Sequence, residues 1–230
     1  MPLLDFIFPK KCINCKKFGD FLCADCFAMV SFNDRFQCPI CLKQSVGGII
    51  HPYCLRKREI DGIMPVVSYN KVVKKLIYQY KYKPYLSRLS EIISELMAEG
   101  LSQNESFYGF LEKYEPTVVP IPLSPKRLRE RGYNHAELLA SYVAQYFKLK
   151  FSSRILVRIK DTKPQYKLNK EARTMNMENA FGISKINSIP NSIILIDDVA
   201  TTFSTLKEAA RVLKSAGAKQ VLGVTFAREG

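Results

Sequence analysis

Along this chain, short runs of apolar residues alternate with longer stretches in which apolar positions recur every three or four residues. The runs predict buried strands and the recurring pattern predicts amphipathic helices. Their alternation predicts an α/β fold built on a parallel sheet. Strands are read at residues 63–69, 117–123, 155–159, 193–196 and 221–226. A helix over 72–82 places Val73, Leu76, Ile77 and Tyr80 on one side, and a second covers 89–101. A third runs to about Phe147, opened by Asn134 with Glu137 as a capping arrangement. A fourth, over 204–215, lines up Leu206, Ala209, Ala210 and Leu213, with Thr205 and Glu208 as its capping box and Gly217 as its stop. Residues 102–115 are read only as a connection.

Two of these strands end in chemistry. After the apolar run 193–196 come Asp197 and Asp198, then a hydroxyl-rich turn containing Thr201, Thr202, Phe203, Ser204 and Thr205. Adjacent carboxylates can accept from the vicinal hydroxyls of a ribose. The turn opens a helix, whose start favours phosphate. Together they describe a phosphosugar site beyond the carboxyl end of a strand, where α/β sheets bind ligands. The plainer reading is that the acids end a strand and Thr205 caps a helix. The strand 117–123 runs into a cationic loop with Lys126, Arg127, Arg129, Arg131 and Gly132, suited to a pyrophosphate or a nucleic-acid backbone. His135 is read as structural. The polar stretch from Asp161 through Thr162, Lys163, Pro164 and Gln165 to Leu168, Glu171 and Arg173, with Asn176, Asn179 and Phe181 beyond, is read as a flap or as a loop before a hairpin.

The first quarter of the chain differs in kind. It holds all seven cysteines, six in pairs of two-residue spacing: Cys12 with Cys15, Cys23 with Cys26, and Cys38 with Cys41. His51 and Cys54 complete a fourth pair. Such spacing brings two ligands to one tetrahedral zinc, so eight ligands serve two closed structural sites. Pairing in sequence order needs the smallest loops; interleaved pairing, or one zinc with the remaining knuckles empty, stays open. A disulfide framework is the competing reading. No secretory signal is read in residues 1–11 and no run reaches membrane-span length, so a cytoplasmic protein with reduced thiols is expected. Phe6, Ile7, Phe8, Phe18, Phe21, Leu22 and Phe27 are expected to pack this head, residues 1–58, against a main domain of residues 62–230.

Charge adds a partner class. There are 35 Lys and Arg against 21 Asp and Glu, a formal charge of +14. This favours polyanions. Lys74, Lys75, Lys81 and Lys83 interleave with Tyr78, Tyr80, Tyr82 and Tyr85, the pattern of a single-strand-binding surface, or else a solvated helix face.

Asp197, Asp198, Thr201, Thr202 and Thr205 match the phosphoribosyl-pyrophosphate loop of type I phosphoribosyltransferases. Phe203 stands where that pattern has glycine, and a phenylalanine resists both a positive φ and close approach of a phosphate. Together with the cysteine-rich head, the Arg-Glu-Arg-Gly-Tyr-Asn block ending at Asn134, and the segment from Asp161 to Gln165, the chain resembles the ComF family. The resemblance implies a phosphoribosyltransferase-type sheet behind a zinc finger, in a protein associated with natural competence and DNA uptake. It implies ribose on Asp197 and Asp198, the 5′-phosphate on 201–205, and pyrophosphate, with its Mg²⁺, on 127–132. An enzyme using phosphoribosyl pyrophosphate with an unnamed acceptor is one expectation. A non-enzymatic factor for single-stranded DNA, working with competence proteins, is the other.

Overall fold

A computed structural model describes residues 10–57, 60–82, 87–161, 170–185 and 188–229; for residues 55–57, 82, 87, 88, 170, 171, 173 and 174 it describes the backbone alone. Five parallel strands form the sheet, in the order β1 (Gly62–Val67), β7 (Gln220–Arg228), β6 (Ser192–Ala200), β2 (Thr117–Pro120), β3 (Lys150–Phe151). β4 (Leu156–Arg158) pairs antiparallel with β5 (Phe181–Ile183), apart from this sheet. The segment read at 155–159 therefore belongs to a separate antiparallel pair.

β6 is central because both its faces are apolar. Ile194 and Ile196 join one core with α2 (Lys71–Tyr82), α3 (Ser87–Ser102) and α6 (His135–Tyr146). Ile193 and Leu195 join the other, with α8 (Ser204–Ser215) and β4. Side chains alternate across a strand, so a continuous aliphatic run is what a doubly covered strand requires. Every side chain from Ile193 to Ile196 is fully buried.

The strand order creates a crevice. From β2 the chain moves outward to β3; from β6 it moves the other way to β7. Where neighbouring strands send their connections in opposite directions, their carboxyl ends separate, and ligands bind there. The two chemically marked strand ends of this chain, those of β2 and β6, flank that point.

The remaining helices are short. α1 (Ala24–Phe27) lies in the head, and α4 (Glu105–Tyr114) fills the stretch read as a connection. Its signals are local: Asn104 accepts from the Phe107 amide, and Phe107 and Phe110 bury one face. α5 (Pro125–Arg131) replaces the expected cationic loop. Ser124 accepts from the Arg127 amide, a proline opens the helix, and Gly132 closes it at φ 82°. α7 (Lys170–Met177) precedes β5. The flap expected around Thr162, Lys163, Pro164, Gln165 and Leu168 lies outside the described residues, as do Phe6, Ile7, Phe8, Lys83 and Tyr85. The side chains of Tyr82, Glu171 and Arg173 are also outside the description.

The head covers the free edge of β1. Antiparallel bridges join Phe32 to Val67 and Ile49 to Gly62, and Asn33 donates to the Val66 carbonyl at 2.8 Å. An open edge strand would otherwise present unpaired backbone groups. Phe21, Phe32 and Phe36 pack on the main core. Phe18 and Phe27, expected to do the same, are exposed.

Candidate ligand site and metal clusters

The eight predicted metal ligands fall into two clusters, paired in sequence order. Cys12, Cys15, Cys23 and Cys26 form one; Cys38, Cys41, His51 and Cys54 form the other, and within each cluster the ligand atoms lie within 4.8 Å of one another. A tetrahedral zinc with 2.3 Å bonds sets its sulfurs about 3.8 Å apart. Cys15 and Cys23 sulfurs stand at 3.5 Å, and Cys41 Sγ is 3.3 Å from His51 Nδ1. The cysteines are free thiols, not disulfides. His51 Nε2 lies 2.9 Å from the Gln44 carbonyl. That oxygen only accepts, so Nε2 carries the hydrogen and Nδ1 keeps its lone pair toward the cluster. An outer partner of this kind fixes a metal-binding imidazole. The backbone N–H of Lys43 draws the Cys41 thiol down to about 6, toward the thiolate a metal needs. Both clusters could therefore hold structural zinc.

At the crevice, β6 does not end before its acids. It continues to Ala200, with Asp197 opposite Thr225 and Val199 opposite Ala227. Alternation then starts the two carboxylates on opposite faces of the strand. Asp198 takes Lys81 Nζ from α2 at 2.9 Å, while Asp197 Oδ1 accepts from the Asp198 amide at 2.9 Å and feels the charges of Lys81 and of Arg158 on β4. Burial, reinforced by the charge of Asp198, pushes the Asp197 carboxyl up to about 7.

The turn brings Thr202 and Ser204 hydroxyls to 2.7 Å, with Thr201 and Thr205 half-buried beside them. Phe203 takes the left-handed conformation itself, φ 62° and ψ 1°. Its ring is buried in the β4-side core, and the Arg228 guanidinium lies 4.3 Å over it while donating to Gln37. The backbone shape expected to need glycine is thus held by a buried aromatic anchor. The capping box does not form. Glu208 instead accepts from the Asn179 amide and from Arg211, and the N-cap residue of α8 is Phe203, whose side chain makes no cap. Nor does Asn134 cap α6; its amide donates to the Ile121 carbonyl at 3.0 Å.

On α5 the arginines diverge. Residues four apart share a helix face and their midpoint does not. Arg127 bears on Arg158, Arg131 bears on His135, and Arg129 is exposed. His135 is buried between Tyr80 and Tyr133, with ring centroids at 4.7 and 4.6 Å, and neither nitrogen has a hydrogen-bond partner among the described residues. Burial lowers its pKa to about 4, leaving it neutral near pH 7.

The stripe read as a nucleic-acid face splits as well. Lys74, Lys75 and Tyr78 are exposed, but Lys75 donates to Asn14 of the head at 2.9 Å. Tyr80 is buried and donates to the His135 carbonyl at 2.8 Å, which excludes it from base stacking. Lys81 sits in the crevice. Sequence reasoning missed Arg158, and the contact of Lys81 with Asp198 links residues 117 positions apart, so no local signal could carry it. A cavity of about 490 Å³ lies between the second cluster and α8, lined by Ile40, Leu42, Met177, Lys207 and Arg211 and reaching Thr202 and Ser204 of the turn. Among the described residues, no helix is long and apolar enough to cross a membrane.

The class is thus a parallel α/β domain with a polar crevice between its two central strand ends and two cysteine-rich clusters on its edge. No family model matches the chain. Competence protein ComFC of Streptococcus pneumoniae is 28% identical over 90% of this chain and 87% of its own length. DNA utilization protein YhgH of Escherichia coli is 27% identical over 87% of both. Competence protein F of Haemophilus influenzae is 33% identical over 47% of this chain, about half of its own length at 48%. These relatives bear out the resemblance to the ComF family.

Proposed function

We propose that this protein acts in DNA uptake or DNA utilization, and that its crevice binds phosphoribosyl pyrophosphate in the manner of a type I phosphoribosyltransferase. The names of its relatives support the first part. One observation carries the second: at the switch point of the sheet, the acid-bearing end of β6 and the cationic helix following β2 face a common crevice. In this reading Asp197 and Asp198 take ribose hydroxyls, and the turn 201–205 takes the 5′-phosphate at the start of α8. Arg127, Arg131 and Gly132 form the pyrophosphate side. Mg²⁺ would arrive on the pyrophosphate, since magnesium meets proteins largely through phosphates and a few carboxylates. If the reaction proceeds, the cations would stabilise the departing pyrophosphate as the anomeric bond breaks. The head, residues 1–58, serves as a zinc-stabilised brace for the domain at 62–230.

Thermal denaturation with phosphoribosyl pyrophosphate and Mg²⁺ tests this. A ligand at about 100 times its Kd adds roughly 2.7 kcal/mol of stability. Wild type is expected to shift upward and Asp198→Asn to shift much less; no shift in wild type would end the reading. A second reading, single-strand binding without turnover, is favoured by the net charge of +14 and by exposed Lys74 and Tyr78 on α2. It predicts affinity for single-stranded DNA that falls steeply with salt, and a flat response would remove it.

A further inference from the structure

We infer that Lys81 belongs to the ligand site: it holds Asp198 while the crevice is open and moves to a pyrophosphate oxygen of the bound sugar phosphate. Asp198 is thereby released to accept from a sugar hydroxyl. This deepens the phosphoribosyl reading and rests on it.

The position of Lys81 is built, not adventitious. It lies on α2, whose start is fixed by Asn70 accepting from the Val72 and Val73 amides at 2.9 and 3.0 Å. Its end is fixed by Tyr80, fully inside the core, donating to the His135 carbonyl at 2.8 Å at the first turn of α6. Lys74, Tyr78 and Lys81 share one face of this helix, and at its last turn that face meets the crevice, so that Lys81 reaches Asp198. There its ammonium meets Asp198 at 2.9 Å, with the two side chains only 20% and 12% exposed.

The surroundings make that contact an exchangeable one. Lys81 acts on both acids, since its charge also lowers the Asp197 carboxyl, and it acts with Arg131 on His135. Lys81 and Arg131 therefore flank the same corner, on the side assigned to the pyrophosphate. His135 beside them is neutral and has two ring nitrogens unpaired among the described residues, so it does not supply the counter-charge. A carboxylate occupied by a lysine is a poor acceptor for a sugar. A ligand carrying its own anionic group near that corner offers Lys81 a stronger partner and frees the acid in the same step. A sugar monophosphate, whose phosphate lies at the 201–205 turn, offers no such exchange.

Calorimetry separates this role from a fixed structural ion pair. The full chain, its Lys81→Gln variant and its Lys81→Arg variant are each titrated with phosphoribosyl pyrophosphate plus Mg²⁺ and with ribose 5-phosphate. Lys81→Gln is expected to weaken the pyrophosphate ligand by roughly ten- to a hundredfold, the worth of a charged hydrogen bond. Ribose 5-phosphate affinity is expected to hold or rise, and Lys81→Arg to recover most of the loss. Equal losses for both ligands, or no loss for the pyrophosphate ligand, would overturn the role of Lys81. Wild type binding neither ligand would instead overturn the phosphoribosyl reading and the role of Lys81 with it.

Discussion

At Asp197 the fold holds a carboxyl whose partly buried, desolvated position favours its protonated form, with the charge of Asp198 adding to the effect. An unfolded aspartate titrates near 3.9 and this one near 7. Between those values the native state keeps a proton that the unfolded chain has released. The stability this contributes is full below about pH 4 and lost as pH rises through about 7. Asp197→Asn keeps an acceptor for the Asp198 amide and removes the charge. Its melting temperature is expected to match wild type near pH 4 and to exceed it increasingly up to about pH 8. A pH-independent difference in thermal denaturation would contradict this. Phe203 shows the limit of single-residue inference. Its side chain argues against a positive φ, yet the ring's burial and the guanidinium of Arg228 above it hold that conformation. Tertiary packing outweighed a local preference that costs roughly 1–2 kcal/mol.

At the scale of elements, what could be read was what depends on neighbours in sequence. The aliphatic run of β6 announced a doubly covered strand, and the cysteine spacings announced knuckles, because both signals are complete within a few residues. α5 carries local start and stop signals in Ser124, Pro125 and Gly132, but it is read as a loop from the sequence because it lacks apolar periodicity. The Lys81 contact, the divergence of Arg127 and Arg131 from Arg129, and the inward turn of Asn134 arise only when helices dock on the sheet. The head's seating on β1 is equally non-local and depends on Gly48, at φ 76°. A Cβ there would stand 2.0 Å from the Ile63 carbonyl oxygen, whereas one on Gly132, at φ 82°, meets nothing within 4 Å. Gly132→Ala is expected to cost about 1 kcal/mol for its backbone alone. Gly48→Ala is expected to cost about 2 kcal/mol or more, because the head must also move off β1. Denaturant titration checks both, and equal losses would contradict the close contact.

For the whole molecule, the head and the sheet are joined by side chains as well as by backbone bridges. Gln37 of the head accepts from Arg228 at the end of β7, next to the ring of Phe203. The head's second cluster also closes a wall of the cavity beside α8 through Ile40 and Leu42. Metal content by mass spectrometry is expected to be two zinc ions per chain, falling to one in Cys38→Ser. Chelation is expected to lower the melting temperature, since binding energy of this kind is folding energy. A wild-type content of zero would contradict two structural sites. The central claim is that a phosphorylated sugar binds where β2 and β6 part. A crystal structure of the protein with phosphoribosyl pyrophosphate and Mg²⁺ tests it most directly. The account predicts ribose hydroxyls in hydrogen-bond range of Asp197 or Asp198 and the 5′-phosphate against residues 201–205. Ligand density that touches neither Asp197, Asp198 nor residues 201–205, or none at saturating concentration, would contradict it.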